Sequence, residues 1–310
     1  MPDESSPACN ACEAELGAGP SLATRDRQGV ADGEFEVWVC RDCGSGTTLP
    51  AVEESGLGDY YGDAYGPHES GALMGRLAGA VMAARLRGRL FEPLRDGSAG
   101  AVLDVGSGRG DLLRVLQRRG WTATGLEPSP DAARVAEGLG VKTAVGTLAG
   151  AGLPQRAFDA VIFHHSLEHV TRPATALGEV RGLLQPGGTV FIAVPNFASR
   201  SARRRGEAWW ALDVPRHRTH FTPQGLEGAL RRAGFRVELL KETASVLGPA
   251  ANLQERLRGS FLGSGPVFLA GYGLALGFYP LVWGANEALG GGEFLVARAT
   301  LAPDSKGRED

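Results

Sequence analysis

All four cysteines of the chain fall in two pairs, Cys9/Cys12 and Cys40/Cys43, each spaced Cys-x-x-Cys, and no thiol is left over. Two such knuckles present four thiolates at the corners of a tetrahedron, the arrangement Zn²⁺ takes in a closed structural site at about 2.3 Å per sulfur. The start, MPDESSPACNAC, is acidic and carries no secretory signal, so a cytoplasmic, reducing address is expected, and that favours metal over disulfide. A second cluster sets Asp104 before the turn Gly106-Ser107-Gly108-Arg109-Gly110, with Glu127 following in GLEPSP. Glycines let a ligand approach backbone without a Cβ in the way. A carboxylate such as Glu127 accepts both hydroxyls of a ribose. The third cluster is rich in histidine: His164, His165, Glu168 and His169, then Asp213, Arg216, His217, Arg218 and His220 within WWALDVPRHRTHFTP. Imidazole is the natural proton acceptor near neutral pH, so His217, His220 and His165 are candidate bases.

These groups need elements to hold them. Residues 1–50 read as one unit, two knuckles with the strand EFEVWV running into the second. Residues 51–98 form a Gly-rich acidic linker with Tyr60, Tyr61 and Tyr65, followed by an amphipathic helix in GALMGRLAGAVMAARLRGRLFEPL. From 99 to 310 the rhythm is strand, turn, helix: AVLDV, then DLLRVLQRRG; WTATGLEPSP, then DAARVAEGLG; FDAVIFHH, then PATALGEVRGLLQPGG before TVFIAVPN. That alternation predicts an α/β fold, a parallel sheet with helices on both faces. The glycine turn is not a dinucleotide fingerprint. Its third glycine arrives one position early, and Asp111 would repel a pyrophosphate at the helix start.

Taken in order, VLDVGSGRGDLL, GLEPSP, FDAVIFHHSLEHV and LLQPGGTVFIAVPN resemble the class I S-adenosylmethionine-dependent methyltransferases, from about Ala101 to Asn196. The resemblance implies a Rossmann-like seven-stranded sheet and S-adenosyl-L-methionine as cofactor. It implies that Asp104, Gly106, Ser107, Gly108 and Gly110 hold the methionine part, Glu127 and Pro128 the ribose, and Thr147 and Leu148 the adenine. His164 would border the methionine carboxylate. His165-x-x-Glu168-His169 has two readings: hydrogen bonds that fix the turn, or, by resemblance to a Glu-x-x-Glu-His pattern, ligands for a divalent cation. WWALDVPRHRTHFTP resembles a rim segment of bacterial envelope and natural-product methyltransferases, which places His217 and His220 beside the acceptor. Trp209 and Trp210 are read either as stacking partners for a sugar or aromatic acceptor or as rim packing.

A net charge of −3 gives no overall reason to bind nucleic acid, although Arg200 to Arg205 is locally basic. The acceptor expected is a small molecule: a sugar, glycolipid or quinone-like metabolite, methylated at a hydroxyl or carbon. RNA or protein recognised through the zinc ribbon is the alternative, and a non-catalytic cofactor-binding module is another. Before the last strand, GGGEFLVARAT, residues 245–290 form an apolar insertion, uncharged from Gly259 to Asn286. A full span would strand the last strand on the wrong side, so a hairpin broken at Pro280 is expected, acting as a lid, a dimer surface or a peripheral contact with the inner face of a membrane.

Overall fold

The computed structural model describes residues 7–17, 19–30, 32–52, 60, 91, 93–94, 99–244, 257, 271, 273–274, 277–278, 281 and 290–302. The amphipathic helix, Tyr61, Tyr65 and most of the apolar insertion therefore lie outside the described residues. Within that insertion Leu257, Leu274, Phe278 and Leu281 are exposed. Among the described residues no helix is long and apolar enough to cross a membrane.

Near the N-terminus, β1 (Leu22–Arg25), β2 (Glu34–Val39) and β3 (Gly46–Leu49) form an antiparallel meander. The larger sheet is built from β4 (Ala101–Val105), β5 (Thr122–Glu127), β6 (Lys142–Val145), β7 (Phe158–His164) and β8 (Leu184–Pro195). The short strand β9 (Thr219–His220) comes next, then β10 (Phe235–Thr243) and β11 (Phe294–Leu301). Between them run α1 (Asp111–Gln117), α2 (Pro130–Gly138), α3 (Pro173–Leu183), α4 (Arg200–Arg205) and α5 (Pro223–Arg232).

The large sheet has seven strands in the order β10-β11-β8-β7-β4-β5-β6. The pairs β4–β5, β4–β7, β5–β6 and β7–β8 are parallel, whereas β11 lies antiparallel between β8 and β10. The strand FDAVIFH is almost wholly apolar because both faces of β7 are covered. Alternation sends successive residues to opposite cores: Leu103, Val161 and Phe163 pack with Leu177 and Leu230, while Val102, Ala160 and Ile162 pack with Leu113 and Leu116. Local signals set the helix starts. Ser129 Oγ accepts from Ala132 N at 3.3 Å with Pro130 in the first turn of α2. The Pro-Gly-Gly expected to close the third helix is instead drawn into β8, since α3 ends at Leu183.

The smaller sheet departs from the self-contained 1–50 unit. Its order is β1-β2-β3-β9, so its fourth strand, Thr219–His220, comes from the far half of the chain. Gly46 stands opposite His220 and Thr47 opposite Thr219.

Candidate active site

The strands of the parallel sheet end together at one edge. The chain leaves β4 outward to β5 and β6, then returns to β7 on the other side, which makes the carboxyl end of β4 the switch point where open α/β sheets bind ligands. Asp104 is 3% exposed there, and its Oδ1 has no hydrogen-bond partner. Burial, reinforced by the charge of Glu127, holds its carboxyl well above the usual range. Behind it Gly106 and Gly108 adopt φ of 75° and 52°. A Cβ on Gly106 would fall 2.6 Å from Ser166 Cβ, so the turn closes on the loop after β7. A Cβ on Gly108 would meet nothing within 4 Å; it would project into open space over the turn. Glu127 accepts from Gly108 N at 2.7 Å and Ser129 N at 2.9 Å. Each oxygen keeps a second lone pair for an incoming hydroxyl.

A buried carboxylate with Oδ1 unpartnered, a second carboxylate and an open glycine cradle fit a cationic ligand that also carries a ribose. Ser107, buried with its Oγ unpartnered, and exposed Pro128 flank the turn. Thr147 and Leu148 follow β6, with Leu148 packed against the core. His164 ends β7, its ring 6.4 Å from that of Phe91.

The three candidate bases differ sharply. His165 lies in the left-handed region, φ 58°, directly after β7; its ring stacks edge-on at 4.6 Å from Phe294, and its side chain is 26% exposed. His217 is buried, with Nδ1 at 2.8 Å from the carbonyl of Ala211. His220 corrects the expectation of a base at the acceptor rim. It is 3% exposed in β9, and its Nε2 is 2.9 Å from Thr48 Oγ1. Thr48 spends its proton on the carbonyl of His217 at 2.7 Å, so His220 Nε2 must be the donor. Burial, then the neighbouring His217, pushes the His220 pKa down to about 3. That ring holds a sheet together rather than taking a proton. Trp209, 1% exposed among Phe35, Val37 and Val214, is likewise packing.

WWALDVPRHRTHFTP is therefore the seam between the two sheets. Arg216, fully buried, spends all five N–H groups: two on Asp26 (2.5 and 3.2 Å), two on Asp213 Oδ1 (2.8 and 3.0 Å) and one on the carbonyl of Tyr60 (2.9 Å). Thr222 caps α5 by accepting from Gly225 N and donates to the carbonyl of Cys43 at 2.6 Å, which ties the second knuckle to the helix. The cysteines meet as the spacing predicts. Cys9 and Cys43 sulfurs are 3.7 Å apart and those of Cys12 and Cys40 3.4 Å, with all four within 4.8 Å. A zinc tetrathiolate has edges of about 3.8 Å, whereas a disulfide needs about 2.05 Å. The geometry fits the ion. Sharing a proton with Cys43 holds Cys9 above the usual thiol range, burial lifts Cys12 to about 11, and the Cys9 hydrogen bond lowers Cys43 to about 5.

Residues 77–240, more than half of the 310-residue chain, match the family described as a methyltransferase domain. The chain belongs to the class I S-adenosylmethionine-dependent methyltransferases. Over 154 residues this methyltransferase is 32% identical to a ubiquinone biosynthesis O-methyltransferase of Xanthomonas axonopodis pv. citri, covering 45% of this chain and 64% of that protein. The match thus spans less than two thirds of that relative's length. An uncharacterized methyltransferase of Geobacillus thermodenitrificans is 28% identical over 171 residues, 51% of this chain and 79% of its own. In fold, the methyltransferase is similar to Haemonchus contortus phosphoethanolamine N-methyltransferase 2 solved with S-adenosyl-L-methionine. The TM-score is 0.51 at 15% identity, covering 73% of this chain and 52% of that one.

Two residues of the site escaped sequence reasoning. Asp26 sits just after β1 with no local motif to mark it, and only the fold brings it to Arg216. Ser166, whose Oγ donates to the carbonyl of Val105 at 2.5 Å, pins the loop after β7 beneath the glycine turn. Its place directly after His165 was the available signal.

Proposed function

We propose that the protein transfers the methyl group of S-adenosylmethionine to an oxygen of a small-molecule acceptor, a sugar, glycolipid or quinone-like metabolite. The observation that carries this reading is Asp104, a buried carboxylate without a partner for Oδ1, at the lip of the open cradle above Gly108. When bound, the cofactor supplies an electrophilic methyl on a sulfonium. Asp104 and the turn Gly106, Ser107, Gly108 and Gly110 hold its methionine part, Glu127 and Pro128 its ribose, Thr147 and Leu148 its adenine, and His164 borders its carboxylate. Oxygen as the methylated atom is favoured by the name of the Xanthomonas relative.

Of the histidines, His165 is the best-placed proton acceptor for the acceptor hydroxyl. It stands at the cofactor edge and is the most open of the three, and Glu168 Oε1 lies 3.6 Å from its Nδ1, where it can orient the ring. The four thiolates of Cys9, Cys12, Cys40 and Cys43 hold a structural Zn²⁺. The experiment is equilibrium binding of S-adenosylmethionine to wild type and Asp104→Asn, followed by incubation with methyl-labelled cofactor and cell extract. Binding that Asp104→Asn weakens, with label entering low-mass or lipid material, supports the reading. Failure of wild type to bind the cofactor at millimolar concentration refutes it, and label in RNA or protein replaces the acceptor class.

A further inference from the structure

Glu168 is unusual in this fold. It is 1% exposed in the 3₁₀ turn Leu167–His169, and neither of its carboxylate oxygens has a hydrogen-bond partner. Leaving a buried carboxylate so costs several kcal/mol unless a positive charge meets it, by the usual desolvation figures of about that size. His165 Nδ1 lies 3.6 Å from Oε1, just beyond hydrogen-bond reach, and the two other histidines beside it turn protons elsewhere. His169 places Nδ1 3.0 Å from the carbonyl of Arg216, and His217 places Nδ1 2.8 Å from that of Ala211. A carbonyl only accepts, so in each neutral ring Nδ1 carries the proton and Nε2 the lone pair. That is the tautomer of a metal-ligating histidine whose other nitrogen is fixed by a backbone carbonyl.

Donor atoms of Glu168, His169 and His217 all lie within 4.8 Å of one another, and the two imidazole rings meet edge to face at 4.8 Å. Asp213 Oδ2 adds a further acceptor 3.9 Å from His217 Nε2. Groups able to ligate a metal converge here from two separate parts of the chain. The turn after β7 brings Glu168 and His169, and the loop after β8 brings His217. Hydrogen bonds hold the two segments in register, from Arg218 N to the carbonyl of Glu168 at 2.9 Å and between His169 and Arg216.

We propose that Glu168, His169 and His217 form a second metal site, distinct from the four cysteines, that binds a divalent first-row ion such as Zn²⁺. Two imidazoles and one carboxylate suit such an ion better than Mg²⁺ or Ca²⁺, which prefer all-oxygen shells. Around an ion at about 2.1 Å per ligand, donor atoms stand about 3.4 Å apart, so closure by about an ångström completes the site. Three protein ligands leave a position open for water or an oxygen of a bound molecule. The proposal does not depend on methyl transfer, because its test reads metal and not turnover.

The test is Co²⁺ titration of chelator-stripped full-length protein, followed in the visible and near ultraviolet. Two equivalents are expected: one with the intense sulfur-to-cobalt bands of the cysteine site, one with only the weak bands of a nitrogen and oxygen shell. Glu168→Gln, close in shape, should keep the first and weaken the second at least tenfold, with the sulfur bands reporting that the variant is folded. Independently, X-ray absorption of zinc-loaded wild type should show a nitrogen/oxygen shell at about 2.0–2.1 Å beside sulfur at about 2.3 Å. One equivalent with sulfur ligands alone, or an unchanged second equivalent in Glu168→Gln, overturns the proposal.

Discussion

Replacing Arg216 with Met would remove the charge at the seam between the two sheets while keeping an apolar side chain of similar length. Asp26 and Asp213 would then face one another in a space where Arg216 and Asp26 side chains are both 0% exposed. An exposed ion pair is worth at most about 1 kcal/mol. Removing one partner of a buried pair costs about 3–5 kcal/mol, because the remaining charge is left without compensation. The buried figure applies here, since all five N–H groups of Arg216 are paired and Asp26 also accepts from Gln28 N and Val30 N. Against a typical domain stability of about 5–15 kcal/mol this is a large fraction. Urea unfolding at fixed zinc concentration reads it through Trp209, which is buried in the cluster beside Phe35 and Val37. Asp26→Asn in the Arg216→Met background should cost far less than in wild type, with a coupling energy of about 1–3 kcal/mol. A loss below about 1 kcal/mol for Arg216→Met, or additive effects of the two changes, would refute the reasoning that a buried ion network ties the loop after β1 to residues 209–223.

Gly108→Ala should raise the dissociation constant for S-adenosylmethionine at least tenfold, since the new methyl enters the open space of the cradle; its stability cost should stay near 1 kcal/mol for a φ of 52°. Calorimetry and thermal melting separate the two effects. Because burial and then Glu127 hold Asp104 above the usual carboxylate range, it binds a cation only once deprotonated. Cofactor affinity should therefore rise with pH through that raised value and level off above it, a dependence that Asp104→Asn abolishes. The same sign makes the cofactor-free protein lose stability as pH climbs above about 4, the unfolded value, until Asp104 has ionised. His220→Gln should lower stability by about 1–3 kcal/mol, the cost of a lost buried hydrogen bond, while turnover of the folded fraction stays within about threefold. A hundredfold loss of turnover in folded protein would restore His220 as a base. Stripping the zinc should destabilise both sheets together, seen as one cooperative transition at lower temperature, because Thr222 and β9 bind the ribbon to the main fold.

Periodicity and punctuation in the sequence determined the large sheet. The apolar runs AVLDV and FDAVIFH must be buried strands, helices along the chain carry their own caps at Ser129 and Thr222, and alternation of strand and helix fixes the parallel order of β4 to β8. The cradle proposed for the cofactor was legible for the same reason, since Asp104, the three glycines and Glu127 lie within short stretches whose chemistry is local. Cysteine spacing likewise pointed to the cluster of four thiols, because each Cys-x-x-Cys turn presents two sulfurs together. What the sequence could not assign was the use of WWALDVPRHRTHFTP. Its histidines and arginines look alike in one dimension, and each acquires its role from a partner far along the chain: Arg216 from Asp26, His220 from Thr48, and His217 from the neighbourhood of Glu168 and His169. Burial decides whether an imidazole is a base, a strut or a ligand, and burial is a property of the packed sheets, not of the residue.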